Sequence, residues 1–470
     1  MTKTIGMKKA MLSVLFLLGG IGDLVYGQDS QARENNDDLD LADQIDALIR
    51  PISDSNNFSG SVLVIKKGDV LLSKSYGYSD REHRIANTMK SRFFIGSVSA
   101  MFTATAILQL VENGKLTVED KLARFLPEFP NGNRISVHHL LTERSGLPRF
   151  VPQADGTYDS LIGSAHTLDA LVDYIQQSEP IAEPGKKYRH SGSSYILLAK
   201  IIEIITGKSF GDYLRDHIFI PLKMMNTGHY GPGTTYGKVP DLALGYEQLG
   251  VNKLERARRI HWSSKTGHAS LYSNAEDLAK FAHALMHHEL LSADSWTAIT
   301  GPYYGTSLGY GLSNSPQGGH LRYHRSGGSP GFSSFFAVYP EEELSIIMLS
   351  NIHIHVPYFN VPKIASIVFG EPYEQLNLVS PTEVDQKLVQ KLPGTFQFDE
   401  NFYNPNGTVT ITYKDGMLLS DNAPLIPVVD DEGRIIKFIN RQFWSRLEFV
   451  PDGNGDFTTL KFDRFIGTKK

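Results

Sequence analysis

The chain is predicted to be an α+β protein. An antiparallel sheet contributed by both ends of the main domain is flanked by helices, and a small C-terminal all-β barrel or sandwich follows. Three observations predict this: strand-like hairpins at residues 61–75 and 332–349, helix-period apolar runs between them, and short alternating segments after Glu374.

Taken in order, Leu41, Ile45, Leu48 and Ile49 share one helical face. Ser61–Ile65 and Val70–Ser75 flank Lys66-Lys67-Gly68-Asp69 and read as a hairpin. From Ser97, an apolar stripe of Val98, Met101, Ile107, Leu108 and Val111 runs to a stop at Asn113-Gly114. Ser194–Ile205 is dense in Leu and Ile and ends at Gly207, while Ser273 with Glu276 reads as a capping box ahead of Leu278, Phe281 and Leu285. Phe332–Tyr339 and Leu344–Leu349 form the second hairpin, turning at Pro340–Glu343. These elements define a domain over residues 39–374, a linker at 375–385, and a β-module at 386–470 marked by turns such as Lys414-Asp415-Gly416 and Asp452-Gly453-Asn454-Gly455.

Composition narrows the function. With 470 residues, a net charge of −5 and no basic tract, the chain does not read as a nucleic-acid binder. It has no cysteine, which excludes disulfides, thiolate catalysis and cysteine-held zinc. Residues 1–27 read as a signal peptide: Lys3, Lys8 and Lys9 precede the apolar run Ala10–Ile21, and Val25-Tyr26-Gly27 offers a cleavage site. A membrane anchor is the alternative, but the run falls short of the ~20 apolar residues a spanning helix needs. Export to the periplasm or medium is therefore expected, with a flexible start at 28–38 and no transmembrane segment after cleavage. The histidines show no metal-ligand spacing, so neither metal nor cofactor is expected.

Four segments carry a resemblance, in order along the chain. They are Phe94–Leu116 with its continuation to Ser145-Gly146-Leu147-Pro148; Pro184-Gly185-Lys186-Lys187-Tyr188-Arg189-His190-Ser191-Gly192; Leu271–Leu278; and Arg325-Ser326-Gly327-Gly328. Together they resemble the serine β-lactamase-related family of class C β-lactamases, D-alanyl-D-alanine carboxypeptidases and related esterases. The resemblance implies a β-lactamase/penicillin-binding-protein-like fold and acyl-serine chemistry on a small-molecule or peptide substrate, for instance one derived from the cell wall. It makes Ser97 the nucleophile, the backbone N–H groups of Ser97 and Gly328 the oxyanion donors, and Arg325, Ser326 and Gly327 the substrate-binding strand.

The chain departs from the family pattern in every motif. Ala100 stands at the lysine position three residues after the serine, His190 at the tyrosine, Gly192 at the asparagine, and Arg325 at the usual lysine or histidine. A second register would place Tyr188 at the tyrosine instead. Arg325 keeps a cation suited to a substrate carboxylate. His190 is either a substitute base or a polar filler. Lys265-Thr266-Gly267 is a literal K-T-G, but it sits ahead of a capped helix and not on a strand. Three functions follow: a hydrolase with impaired or altered catalysis, a pseudoenzyme (natural or engineered) that binds without turnover, and an interaction role for the β-module as partner dock or cleft cover.

Overall fold

A computed structural model describes residues 40–148 and 162–470. The signal peptide and flexible start expected at 1–38 lie outside the described residues. Among the described residues no helix is long and apolar enough to cross a membrane.

Six antiparallel strands form the central sheet, in the spatial order Ser313–Asn314, Tyr323–Ser329, Phe332–Tyr339, Leu344–Ser350, Gly60–Lys66, Asp69–Tyr76. The N-terminal hairpin thus joins the downstream strands by pairing Gly60 with Ser350 and Lys66 with Leu344. Every residue of Phe332–Tyr339 and Leu344–Ser350 is buried because both faces of the sheet are covered. Alternation sorts them: Phe336, Val338, Ile347 and Leu349 join the helices Ser99–Glu112, Gly192–Thr206 and Ala275–Met286 in one core. Phe335, Ala337, Ile346 and Met348 join the helices Leu41–Asp54 and Val356–Phe369 in the other.

The helix expected to start at Ser273 is capped one residue later. Ser273 belongs to a short strand, Leu271–Ser273, paired with Phe93–Phe94, and the Asn274 side chain accepts the Asp277 N–H at 2.9 Å. Asn274 is itself extended, with φ −115° and ψ 172°, so the helix begins after it and its side chain supplies the cap.

The C-terminal module is a closed barrel of eight antiparallel strands from Gly394–Gln397 to Phe465–Lys469, which decides between barrel and sandwich. Phe396, Leu425, Phe438, Leu447 and Leu460 fill its interior. The segment expected as a linker is laid along the barrel: Val379 N–H donates to the Pro427 carbonyl at 3.1 Å, and Val384 is buried. Within it Leu376 and Leu378 pack against the core shared with the sheet domain, and Val379 against the barrel interior residues.

One buried cation fastens barrel to sheet domain. Arg441 is fully buried; it donates to Asn57 Oδ1 at 2.7 Å and to the carbonyls of Asn56 at 2.9 Å, Lys253 at 2.7 Å and Gly250. Barrel residues Ile426, Val428, Ile439 and Trp444 enter the core that holds the helices Leu41–Asp54 and Val356–Phe369. Arg441→Met strands those acceptors, and a loss of about 3 kcal/mol is expected. Differential scanning calorimetry should then show barrel and sheet domain melting separately; one unchanged transition would refute the anchor.

Candidate active site

Ser97 lies on a tight 3₁₀ turn, Gly96–Val98, that runs into the Ser99–Glu112 helix. The turn is possible because residue 96 is glycine: its φ is +52°, and a Cβ there would sit 2.8 Å from the Gly328 nitrogen. A Cβ on Gly327 would lie 2.2 Å from the Ile95 carbonyl oxygen and 3.0 Å from the Ser97 nitrogen. The two glycines let the serine turn press against the strand Tyr323–Ser329, bringing the amides of Ser97 and Gly328 into one neighbourhood. Ser334 Oγ reinforces the contact by donating to the Ile95 carbonyl at 2.7 Å. Among the described residues none hydrogen-bonds the Ser97 hydroxyl.

Period-two alternation along the strand puts Tyr323, Arg325 and Gly327 on the face that carries the helices Ser99–Glu112, Gly192–Thr206 and Ala275–Met286. Ser326 and Gly328 point the other way, and Gly328 is exposed. A Cβ on Gly328 would meet His353 Nε2 at 3.5 Å and His355 Nε2 at 3.8 Å; His355 in turn stacks on Phe443 of the barrel.

Arg325 does not present a free cation. Its side chain is 9% exposed, and Nη2 donates to Glu143 Oε1 at 3.0 Å. The other oxygen of Glu143 takes His190 Nδ1 at 2.7 Å and the Ser191 N–H at 3.1 Å. Glu143, itself buried, is therefore the hub joining the second and third motifs. Burial alone would raise its carboxyl, but the charges and hydrogen bonds of His190 and Arg325 outweigh that and hold it at about 2. His190 is 41% exposed, and no described residue hydrogen-bonds its Nε2. Its loop is pinned by Ser191 and Ser193, whose hydroxyls both donate to the Pro148 carbonyl.

The vacated lysine and asparagine positions differ in what they leave. Ala100 is buried inside its helix, with its carbonyl packed against Gly311. Gly192 opens the Gly192–Thr206 helix, and its missing side chain makes room for His268: a Cβ there would lie 2.7 Å from His268 Cε1 and Nε2. Burial pushes His268 well below the usual imidazole range, with Lys265 and His190 adding to the depression, so it is neutral at pH 7. Its Nδ1 is buried with no partner among the described residues. The literal K-T-G therefore forms no strand, yet the residue right after it enters the site. Asparagine at 192 overlaps that imidazole; Gly192→Asn is expected to cost about 1–3 kcal/mol. His268→Ala should recover most of that loss in a double-mutant cycle read by urea unfolding, and additive losses would show that the two positions do not compete.

Sequence reasoning missed Glu143 and His268. Glu143 is followed directly by Arg144, so along the sequence it reads as one half of an ordinary charged pair, and nothing there singles it out.

A serine on a glycine-seated turn, its amide beside a glycine of the strand Tyr323–Ser329, is an arrangement that fits a β-lactamase-related serine hydrolase fold. The family model described as Beta-lactamase matches residues 45–361, and the chain belongs to that family. It is 30% identical over 352 residues to penicillin-binding protein 4* of Bacillus subtilis strain 168, covering 70% of this chain and 76% of that protein. Among solved structures, a penicillin-binding protein from Bacillus halodurans is 28% identical with a TM-score of 0.58, covering 65% of this chain and 94% of that one. The octameric penicillin-binding protein homologue of Pyrococcus abyssi shares the fold over 91% of this chain and 99% of its own, with a TM-score of 0.64 at 24% identity.

Proposed function

We propose that the protein is an exported acyl-serine hydrolase, peptidase- or esterase-like, with an altered proton-handling apparatus. Ser97 is the nucleophile, the N–H groups of Ser97 and Gly328 receive the oxyanion, and His190 is the base in place of lysine and tyrosine. The observation that carries this reading is the seating of the Ser97 turn on Gly327-Gly328. The substrate is a small amide, ester or D-amino-acid peptide, and the family's penicillin-binding members make penicillin a fitting probe. Intact mass spectra after incubation with a fluorophosphonate or a penicillin should show one adduct, absent in Ser97→Ala. No adduct with either reagent overturns the proposal. Export is checked separately, by a mature N-terminus at Gln28.

Ala100 favours a second reading, a binder that does not turn over. On that reading Ala100→Lys combined with His190→Tyr raises Ser97 labelling by orders of magnitude from a negligible baseline. A wild-type chain that already labels efficiently excludes it.

A further inference from the structure

We propose that Glu143 and Arg325 are positioning residues that convert His190 into the base of a Ser97–His190–Glu143 relay; this rests on the acyl-serine reading above. Three observations converge on it. His190 has one nitrogen committed to a buried carboxylate, at 2.7 Å, and the other without a hydrogen-bond partner among the described residues. Glu143 has both oxygens engaged, one by Arg325 and one by His190 and the Ser191 amide. Arg325 shares its strand face with Gly327, the glycine against which the Ser97 amide packs.

An ionised carboxylate can only accept, so it fixes the hydrogen of His190 on Nδ1 and leaves a lone pair on Nε2. A buried carboxylate alone would take up a proton and lose that ability; the hydrogen bonds from His190 and the Ser191 amide, together with the Arg325 guanidinium, keep it ionised. The Arg325 charge is thereby matched internally and is not available to a substrate carboxylate, which reverses the role expected for it from the sequence. The arrangement separates the duties that one lysine performs in the family pattern: the base is an imidazole, and its orientation comes from a carboxylate on another segment.

In the reaction, His190 Nε2 takes the Ser97 hydroxyl proton as Oγ bonds to the acyl carbon. The carbonyl electron pair moves onto oxygen, toward the N–H groups of Ser97 and Gly328. On collapse the bond to the leaving group breaks, and that group takes the proton back from Nε2. Water then repeats the sequence, releasing the acid and restoring the serine.

The test uses the full chain carrying Glu143→Gln or Glu143→Asp, with two readouts: the rate of Ser97 labelling by a fluorophosphonate, and the His190 tautomer by nitrogen-15 NMR. The wild type is expected to hold hydrogen on Nδ1. Glu143→Gln should lose that preference and label about 10⁴-fold more slowly, while Glu143→Asp keeps the tautomer and recovers part of the rate. Unchanged labelling and tautomer in Glu143→Gln overturn the inference and leave the hydrolase reading standing. An unlabelled wild type whose tautomer still follows Glu143 sinks the hydrolase reading and upholds the positioning. Should Glu143→Gln not fold, hydrogen on Nε2 in the wild type overturns the inference by itself, and hydrogen on Nδ1 retained in Glu143→Asp upholds it.

Discussion

His190→Ala is expected to slow acylation of Ser97 about 10²–10⁴-fold, the usual loss for a positioned general base. The fold should survive the change. The His190 ring is 41% exposed, and Glu143 keeps both the Arg325 guanidinium and the Ser191 amide after the imidazole is gone. Labelling kinetics followed by intact mass give the rate, and added imidazole should restore part of it by entering the space vacated. A rate equal to wild type would assign the histidine no chemical role and leave it a polar filler of the loop.

The second large effect concerns stability. Arg325→Met removes one of the two groups, with His190, that hold the buried Glu143 carboxyl low, and breaking a buried ion pair costs about 3–5 kcal/mol. The acid side of the stability profile should change with it. In the wild type the Glu143 carboxyl sits at about 2 when folded, against an unfolded value near ~4.3. A depressed carboxyl stabilises the fold above its unfolded value, and the contribution fades as pH drops from there toward 2, by roughly 3 kcal/mol in all. In Arg325→Met the folded carboxyl rises, so that dependence shrinks or reverses. Urea midpoints at pH 7 and pH 3 measure both effects. Equal pH sensitivity in the two proteins would show that the guanidinium is not what keeps the carboxylate charged.

The parts of this fold that were legible in the sequence are those written in local patterns. The hairpins announce themselves through alternation, and the serine, histidine and arginine motifs through spacing along one segment each. The cap on the Ala275–Met286 helix was ambiguous because Ser273 and Asn274 both precede an acid by three residues, and only the ladder partner of Ser273 decides between them. Glu143 pairs with a residue 182 positions away, and His268 fills a gap left by a glycine on a different helix. Neither relation leaves a trace at its own position. The third motif showed the limit most clearly: nothing in the Arg325 segment announces the buried carboxylate with which the guanidinium pairs.

The pairing of Gly60 with Ser350 has a consequence for how the chain is made. The first hairpin can form early, as a ribosome extrudes it, but the neighbour on its open side arrives only with the segment Leu344–Ser350. Until then its backbone donors and acceptors stand bare, a template for unwanted association, and closing so long a loop makes the docking slow. Translation that stalls before Leu344 therefore yields two sheet fragments, each deprived of the mate that would silence its edge.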